Sequence, residues 1–234
     1  MQPHEHERHG GPLAARLKWL RAGVLGANDG IVSTAGLVVG VAGASADRSP
    51  VLVAGLAGVV AGALSMGGGE YVSVSSQRDT ERAALDLERW ELAQMPEHEL
   101  DELTQIYRGK GLSDELAARV AVELTRHDAL GAHAEAELGI DAQQRTNPWH
   151  AAVASMLAFT LGSVLPLLAI VLPGAGARVP VTVAAVTLAL AVTGVVSARL
   201  GSAPALAAVA RNVGVGLVAM TVTFGVGRLV GQAL

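Results

Sequence analysis

Two groups of residues in this sequence have the types and spacing that chemistry requires. The first lies in an apolar stretch: from about Trp19 to Gly43 the one acidic residue is Asp29, near the centre, with Asn28 beside it. A carboxylate at mid-depth in a bilayer costs about 3 kcal/mol or more, so it should face a partner, a watery cavity or a passing cation. A later apolar run carries Met66 and Glu70, four residues apart and hence on one helix face. Thioether sulfur is a soft ligand that favours iron(II) or copper(I) over magnesium or calcium. Asp29, Met66 and Glu70 are the few groups in these two runs able to hold a dehydrated cation. The bland alternatives are packing for Met66 and an ion pair with Arg211 for Asp29.

The second group lies in a charged middle region. Glu88 and Glu91, then Glu99 and Glu102, repeat a three-residue spacing, and the Pro96 turn can fold the two stretches so that the pairs converge. Across from them, His133 and Glu137 share a helix face at a four-residue spacing. Carboxylate oxygens with an imidazole suit a divalent ion such as iron(II), manganese(II) or zinc(II). The competing reading is a solvated acidic face. His98, His127 and Glu123 make weaker claims; Glu123 is about four turns from Glu137 on a continuous helix, too far to share an ion. His4, His6 and His9 form a polar tail that could bind metal loosely.

Apolar helices must position the first group. The predicted spans are about Trp19–Gly43, Val51–Val74, Trp149–Leu172, Val181–Leu200 and Ala205–Val226, each close to the ~20 residues needed to cross a bilayer. Pro166 predicts a kink in the third. The middle region predicts three helices: one continuing the second span to Trp90, one opening at Pro96, and one capped by Ser113 and ended by Gly139. The expected class is an all-α membrane protein, with five transmembrane helices and a cytoplasmic three-helix metal-binding insert between spans two and three. The expected domains are a disordered His-rich tail (1–15), spans one and two (16–76), the acidic module (77–147) and spans three to five (148–234).

Composition agrees with that plan. Of 234 residues, 51% are hydrophobic and 16% charged; with 28 glycines and 3% aromatics, the apolar mass suits close helix contact in lipid. The net charge of −4 hides a partition, since residues 78 to 145 hold 16 acids against 8 bases. Such a block attracts cations and repels nucleic acid. Lys and Arg lie mostly on the side of the N-terminus and the module, which places both in the cytoplasm and the C-terminus outside. The absence of Cys excludes disulfides, thiolate metal sites and a cysteine nucleophile. The polar N-terminus lacks the apolar core of a cleavable signal peptide. There is no nucleophile elbow, zincin motif, phosphate loop or dinucleotide fingerprint, so neither an enzyme nor a prosthetic group is expected. Gly36 with Gly40, and Gly58 with Gly62, offer small-residue helix contacts.

The run Gly26-Ala-Asn-Asp-Gly-Ile-Val-Ser-Thr34, then Ala61-Gly-Ala-Leu-Ser-Met-Gly-Gly-Gly-Glu-Tyr-Val-Ser73 and Gln77-Arg-Asp79, resembles the vacuolar iron transporter family, whose bacterial members are inner-membrane proteins. The resemblance covers nearly all of the chain after the first fifteen or so residues. It implies export of iron(II), often also manganese(II), from the cytosol in exchange for protons, by a homodimer with the path between subunits. It implies that Asp29 and Met66 line the path and that Glu88, Glu91, Glu99, Glu102 and Glu137 bind metal before entry. Where some members carry Met one turn before that last glutamate, this chain has His133, which would broaden preference toward zinc or manganese.

Overall fold

The computed structural model describes residues 12–140 and 147–233, with side chains from residue 23 onward. The His-rich tail, with His4, His6 and His9, lies outside the described residues. Seven helices follow in order: α1 (Pro12–Ala44), α2 (Arg48–Gln94), α3 (Pro96–Gly109), α4 (Asp114–Ala136), α5 (Pro148–Val171), α6 (Arg178–Leu200) and α7 (Ala205–Ala233). Among the described residues there is no strand. Five of the helices, α1, α2, α5, α6 and α7, are long and apolar enough to cross a membrane. A helix satisfies its own backbone hydrogen bonds, which is what hydrocarbon demands of a spanning segment.

The described residues divide into two compact units, one within residues 12–70 and 150–233, the other within residues 71–140 and 147–149. In the first, Ile31, Ala35, Val38 and Val39 of α1 pack with Val51, Ile170, Val186, Leu190 and Met220 from the other four apolar helices. Helix α1 is the inner one: 44% of its most apolar window is buried, against 17–28% for the other spans. Close backbone approach makes this possible. A Cβ on Gly30 would overlap the carbonyl oxygen of Phe159, and one on Gly162 that of Ala27, so α1 and α5 touch main chain to main chain. Large residues such as Leu25, Leu161, Leu206 and Leu229 stay exposed, as lipid-facing positions require.

The second unit holds the charged part of α2 together with α3 and α4. Its ends meet where the Tyr71 and Trp149 rings pack at a tilt of 47°, with centroids 4.6 Å apart. Pro96 opens α3, where its missing N–H removes nothing from the helix. Gly111, at φ +98°, turns the chain, and the Ser113 hydroxyl accepts a hydrogen bond from the Leu116 N–H to start α4. Leu103 of α3 and Ala117, Ala121 and Ala134 of α4 are buried. Gly139, at φ +64°, ends the last helix, with the Ile140 N–H bonded to the Ala134 carbonyl.

The third helix of this unit is not continuous, contrary to expectation. Asp128 is extended, at φ −159° and ψ 89°, and its Oδ1 accepts from the Gly131 N–H at 3.0 Å. Asp128 therefore caps a fresh helical segment that carries His133. Gly131 leaves room for the carboxylate, because a Cβ there would collide with Asp128 Oδ2. The register drawn from Glu123 to Glu137 on one straight helix does not cross this break.

Candidate metal-ion sites

In the helical unit of spans, Asp29 of α1 and Met66 of α2 line one recess of about 270 Å³. Ser33, Thr34, Ser65 and Phe159 are also on its wall. The Ser33 hydroxyl, one turn beyond Asp29, donates to Asp29 Oδ1 at 3.2 Å and holds the carboxylate against its own helix. Among the described residues Asp29 forms no ion pair, and Arg211 is exposed, so the pair that would have neutralised Asp29 is not made. The recess thus presents a carboxylate, hydroxyls and a thioether, a mixed hard and soft donor set for a divalent ion.

Two of the sequence candidates lie off this recess. Asn28 is the next residue round the helix, and its Oδ1 accepts from the Thr193 hydroxyl at 3.4 Å, with Asn212 Nδ2 donating to the same hydroxyl at 3.5 Å. Glu70 is half-buried one turn beyond Met66 and is not on the recess wall. Of the three glycines before it, Gly67 approaches Met156 and Ala152, while a Cβ on Gly68 or Gly69 meets nothing within 4 Å.

In the second unit three helices converge on His133, which is fully buried. Its Nδ1 lies 3.0 Å from Glu88 Oε1 of α2, 3.7 Å from Glu99 Oε2 of α3 and 3.8 Å from Glu137 Oε2 at the end of α4. Glu88 and Glu99 are 2% and 3% exposed. Burying carboxylates side by side is costly unless a cation or hydrogen bonds compensate. Hydrogen bonds do not: Glu88 Oε1 and both ring nitrogens of His133 are buried without a hydrogen-bond partner. Two of these unpartnered atoms, Glu88 Oε1 and His133 Nδ1, face one another. Ligand atoms of Glu88, His133 and Glu137 lie within 4.8 Å of one another, as do those of Glu88, Glu91 and Glu99. Ligands at ~2.0–2.3 Å from a shared ion stand roughly 3–4.5 Å apart, so the cluster fits a divalent cation.

Electrostatics tell the same story. Burial, then the charges of Glu137, Glu99, Glu91 and Glu102, push the Glu88 carboxyl up to about 7. Burial and Glu102 also raise Glu137, against the opposing pull of His133. A positive ion among them would reverse that mutual repulsion. Glu102 is half-buried and belongs to a second grouping with Glu99 and the exposed His98, whose Nδ1 is 3.5 Å from Glu99 and 4.0 Å from Glu102. His98 was the weaker sequence candidate that geometry brings in.

Comparison with known proteins gives the family. The VIT family profile matches residues 20–228. The chain belongs to the VIT family. It is 44% identical over 218 residues to the vacuolar iron transporter of Acanthamoeba castellanii, covering 90% of this chain and 78% of that protein. It is 43% identical over 220 residues to vacuolar iron transporter homolog 1 of Oryza sativa subsp. japonica, covering 93% and 76%. A VIT-like transporter 1b of Glycine max is 36% identical over 221 residues, covering 93% and 79%. The resemblance drawn from the two glycine-rich motifs is therefore a family relation. In this VIT-family chain those motifs build the recess: Asp29, Ser33 and Thr34 come from the first, Gly62, Ser65 and Met66 from the second. The hydroxyls escaped sequence reasoning, although Ser33, four residues after Asp29, was the signal that could have found them.

Proposed function

We propose that this protein is a membrane transporter that carries iron(II), and also manganese(II), out of the cytosol in exchange for protons. The observation that carries the reading is the pairing of the Asp29 carboxylate with the Met66 thioether on one recess inside a set of apolar helices. Membership of a family whose relatives are named vacuolar iron transporters supports iron as the cargo. A single carboxylate can hold a metal ion or a proton but not both, which is the simplest physical basis for exchange. Metal entering Asp29 releases its proton, and protonation from the far side releases the metal.

The acidic unit of residues 71–149 serves in this reading as a cytoplasmic collector. Glu88, Glu91, Glu99, Glu102, His133 and Glu137 bind the ion before entry and raise its local concentration. The distribution of Lys and Arg supports an orientation with the N-terminus and this unit inside and the C-terminus outside. A homodimer, the lipid bilayer and protons complete the set of partners, with no prosthetic group. Asn28 and Glu70 flank the path without lining the recess.

Manganese as the main cargo is the second reading, favoured by the His133 cluster, whose ligand atoms are oxygen and nitrogen with no sulfur. Uptake of each ion into proteoliposomes under an imposed pH gradient, alone and in competition, tests both. Metal-driven proton movement that fails in Asp29→Asn supports the transport reading. Equal flux with and without the protein leaves only a membrane-anchored metal-binding unit.

A further inference from the structure

A threonine hydroxyl inside a helix ordinarily donates to the carbonyl one turn earlier. Thr80, Thr104, Thr160, Thr182 and Thr223 all do so here, at 2.7–3.0 Å. Thr34 does not. Its residue is 2% exposed, yet its Oγ1 has no hydrogen-bond partner. The Ser163 hydroxyl of α5 lies within reach of two carbonyls, Phe159 at 2.9 Å and Gly30, the acceptor Thr34 would normally use, at 3.2 Å. Thr34 sits on the wall of the recess with Asp29, Ser33 and Met66. A buried hydroxyl left unpaired is expensive, and its position beside an acidic recess identifies what would pair with it. Among the described residues Thr125 is the other buried threonine hydroxyl without a partner, and it belongs to the acidic unit.

We propose that the Thr34 hydroxyl is a further oxygen donor of the Asp29–Met66 recess and sets its balance between harder and softer divalent cations. The proposal rests on the transport reading above. Asp29 and Thr34 contribute hard oxygen atoms from α1, and Met66 contributes a soft sulfur atom from α2. Manganese(II) depends on oxygen ligands more than iron(II) does, while the thioether favours iron. Removing one oxygen should therefore cost manganese more.

The test uses the full-length protein in proteoliposomes, with manganese(II) and iron(II) uptake measured for wild type, Thr34→Val, Thr34→Ser, Met66→Leu and Asp29→Asn. Valine keeps the shape of threonine and removes only the hydroxyl. We expect Thr34→Val to raise the KM for manganese by about 2- to 10-fold, the range of one lost polar contact, with a smaller rise for iron. Thr34→Ser, which keeps the oxygen, should restore the wild-type ratio, and Met66→Leu should shift the ratio the opposite way. An unchanged ratio in Thr34→Val overturns the proposal, as does a Thr34→Ser variant that behaves like valine, since keeping the oxygen would then fail to keep the selectivity. Should Asp29→Asn abolish flux while Thr34→Val leaves both constants intact, only this inference fails. Undiminished flux in Asp29→Asn removes the transport reading and this proposal together.

Discussion

Replacing Glu88 with Gln should stabilise the metal-free acidic unit while weakening its hold on divalent cations. Glu88 is buried against His133 of α4 and faces the carboxylates of Glu137, Glu99, Glu91 and Glu102. Burial first, and those charges second, raise its pKa from 4.5 to about 7. A raised carboxyl pKa means that the folded state holds the proton more tightly than the unfolded chain does. The associated stability is fully present below pH 4.5 and is lost as the pH climbs through about 7. At 1.36 kcal/mol per unit, the loss at pH 8 is on the order of 3 kcal/mol. Gln has the same shape, carries no charge and can donate to a neighbouring carboxylate. It should recover most of that amount at pH 8 and almost none at pH 5.

If Glu88 is a ligand as proposed, the same substitution removes a charged one, so manganese(II) affinity should fall at least about tenfold, or roughly 1.4 kcal/mol. Below pH 7 the metal must displace the Glu88 proton in the wild type, giving up to about a tenfold loss of apparent affinity per pH unit. That slope should flatten in Glu88→Gln. Hydrogen-exchange protection of residues 96–140 in the full-length, chelator-treated protein reports the stability, and calorimetric titration with manganese reports the affinity. Protection lowered equally at pH 5 and pH 8, with manganese affinity intact, would show that Glu88 is a structural residue and refute the ligand assignment.

Three further outcomes follow from other parts of the structure. Asp29→Asn should eliminate metal-dependent acidification or alkalinisation in vesicles while the thermal unfolding of the detergent-solubilised protein stays within a few degrees of wild type. Asp128→Ala should cost about 1 kcal/mol by removing the cap that restarts α4, and should weaken metal binding at His133, read by exchange and calorimetry. Gly30→Ala should lower the unfolding temperature sharply, because its Cβ would overlap the Phe159 carbonyl, whereas Gly68→Ala meets nothing within 4 Å and should be neutral or stabilising.

The spans were legible because membrane crossing depends on apolar composition over ~20 residues, a property of the local sequence. The glutamate pairs and His133 were legible for a similar reason, since helical spacing fixes which residues share a face. The break at Asp128 was not. Nothing in Thr125-Arg-His-Asp-Ala-Leu-Gly131 forbids a helix; the break goes with the Asp128 carboxylate bonding the Gly131 N–H, a capping choice that helix periodicity does not register. Facing was equally hidden. Met66 and Glu70 share a face, yet a recess has finite length and ends before Glu70.

Neighbouring residues on a helix point about 100° apart, so Asn28 and Asp29 could not both face one recess, and the sequence alone does not say which one does. The packing of α1 settles it. Gly30 presses on the Phe159 backbone, and the Asn28 amide joins Thr193 of α6 and, through it, Asn212 of α7. With contacts to α5 on one side and to α6 and α7 on another, the rotation of α1 is fixed. Asp29 is left toward α2, where Met66 stands. The aim of the carboxylate is thus a consequence of the small residue after it and the amide before it, which gives a physical reason for Asn, Asp and Gly to stand together at 28–30.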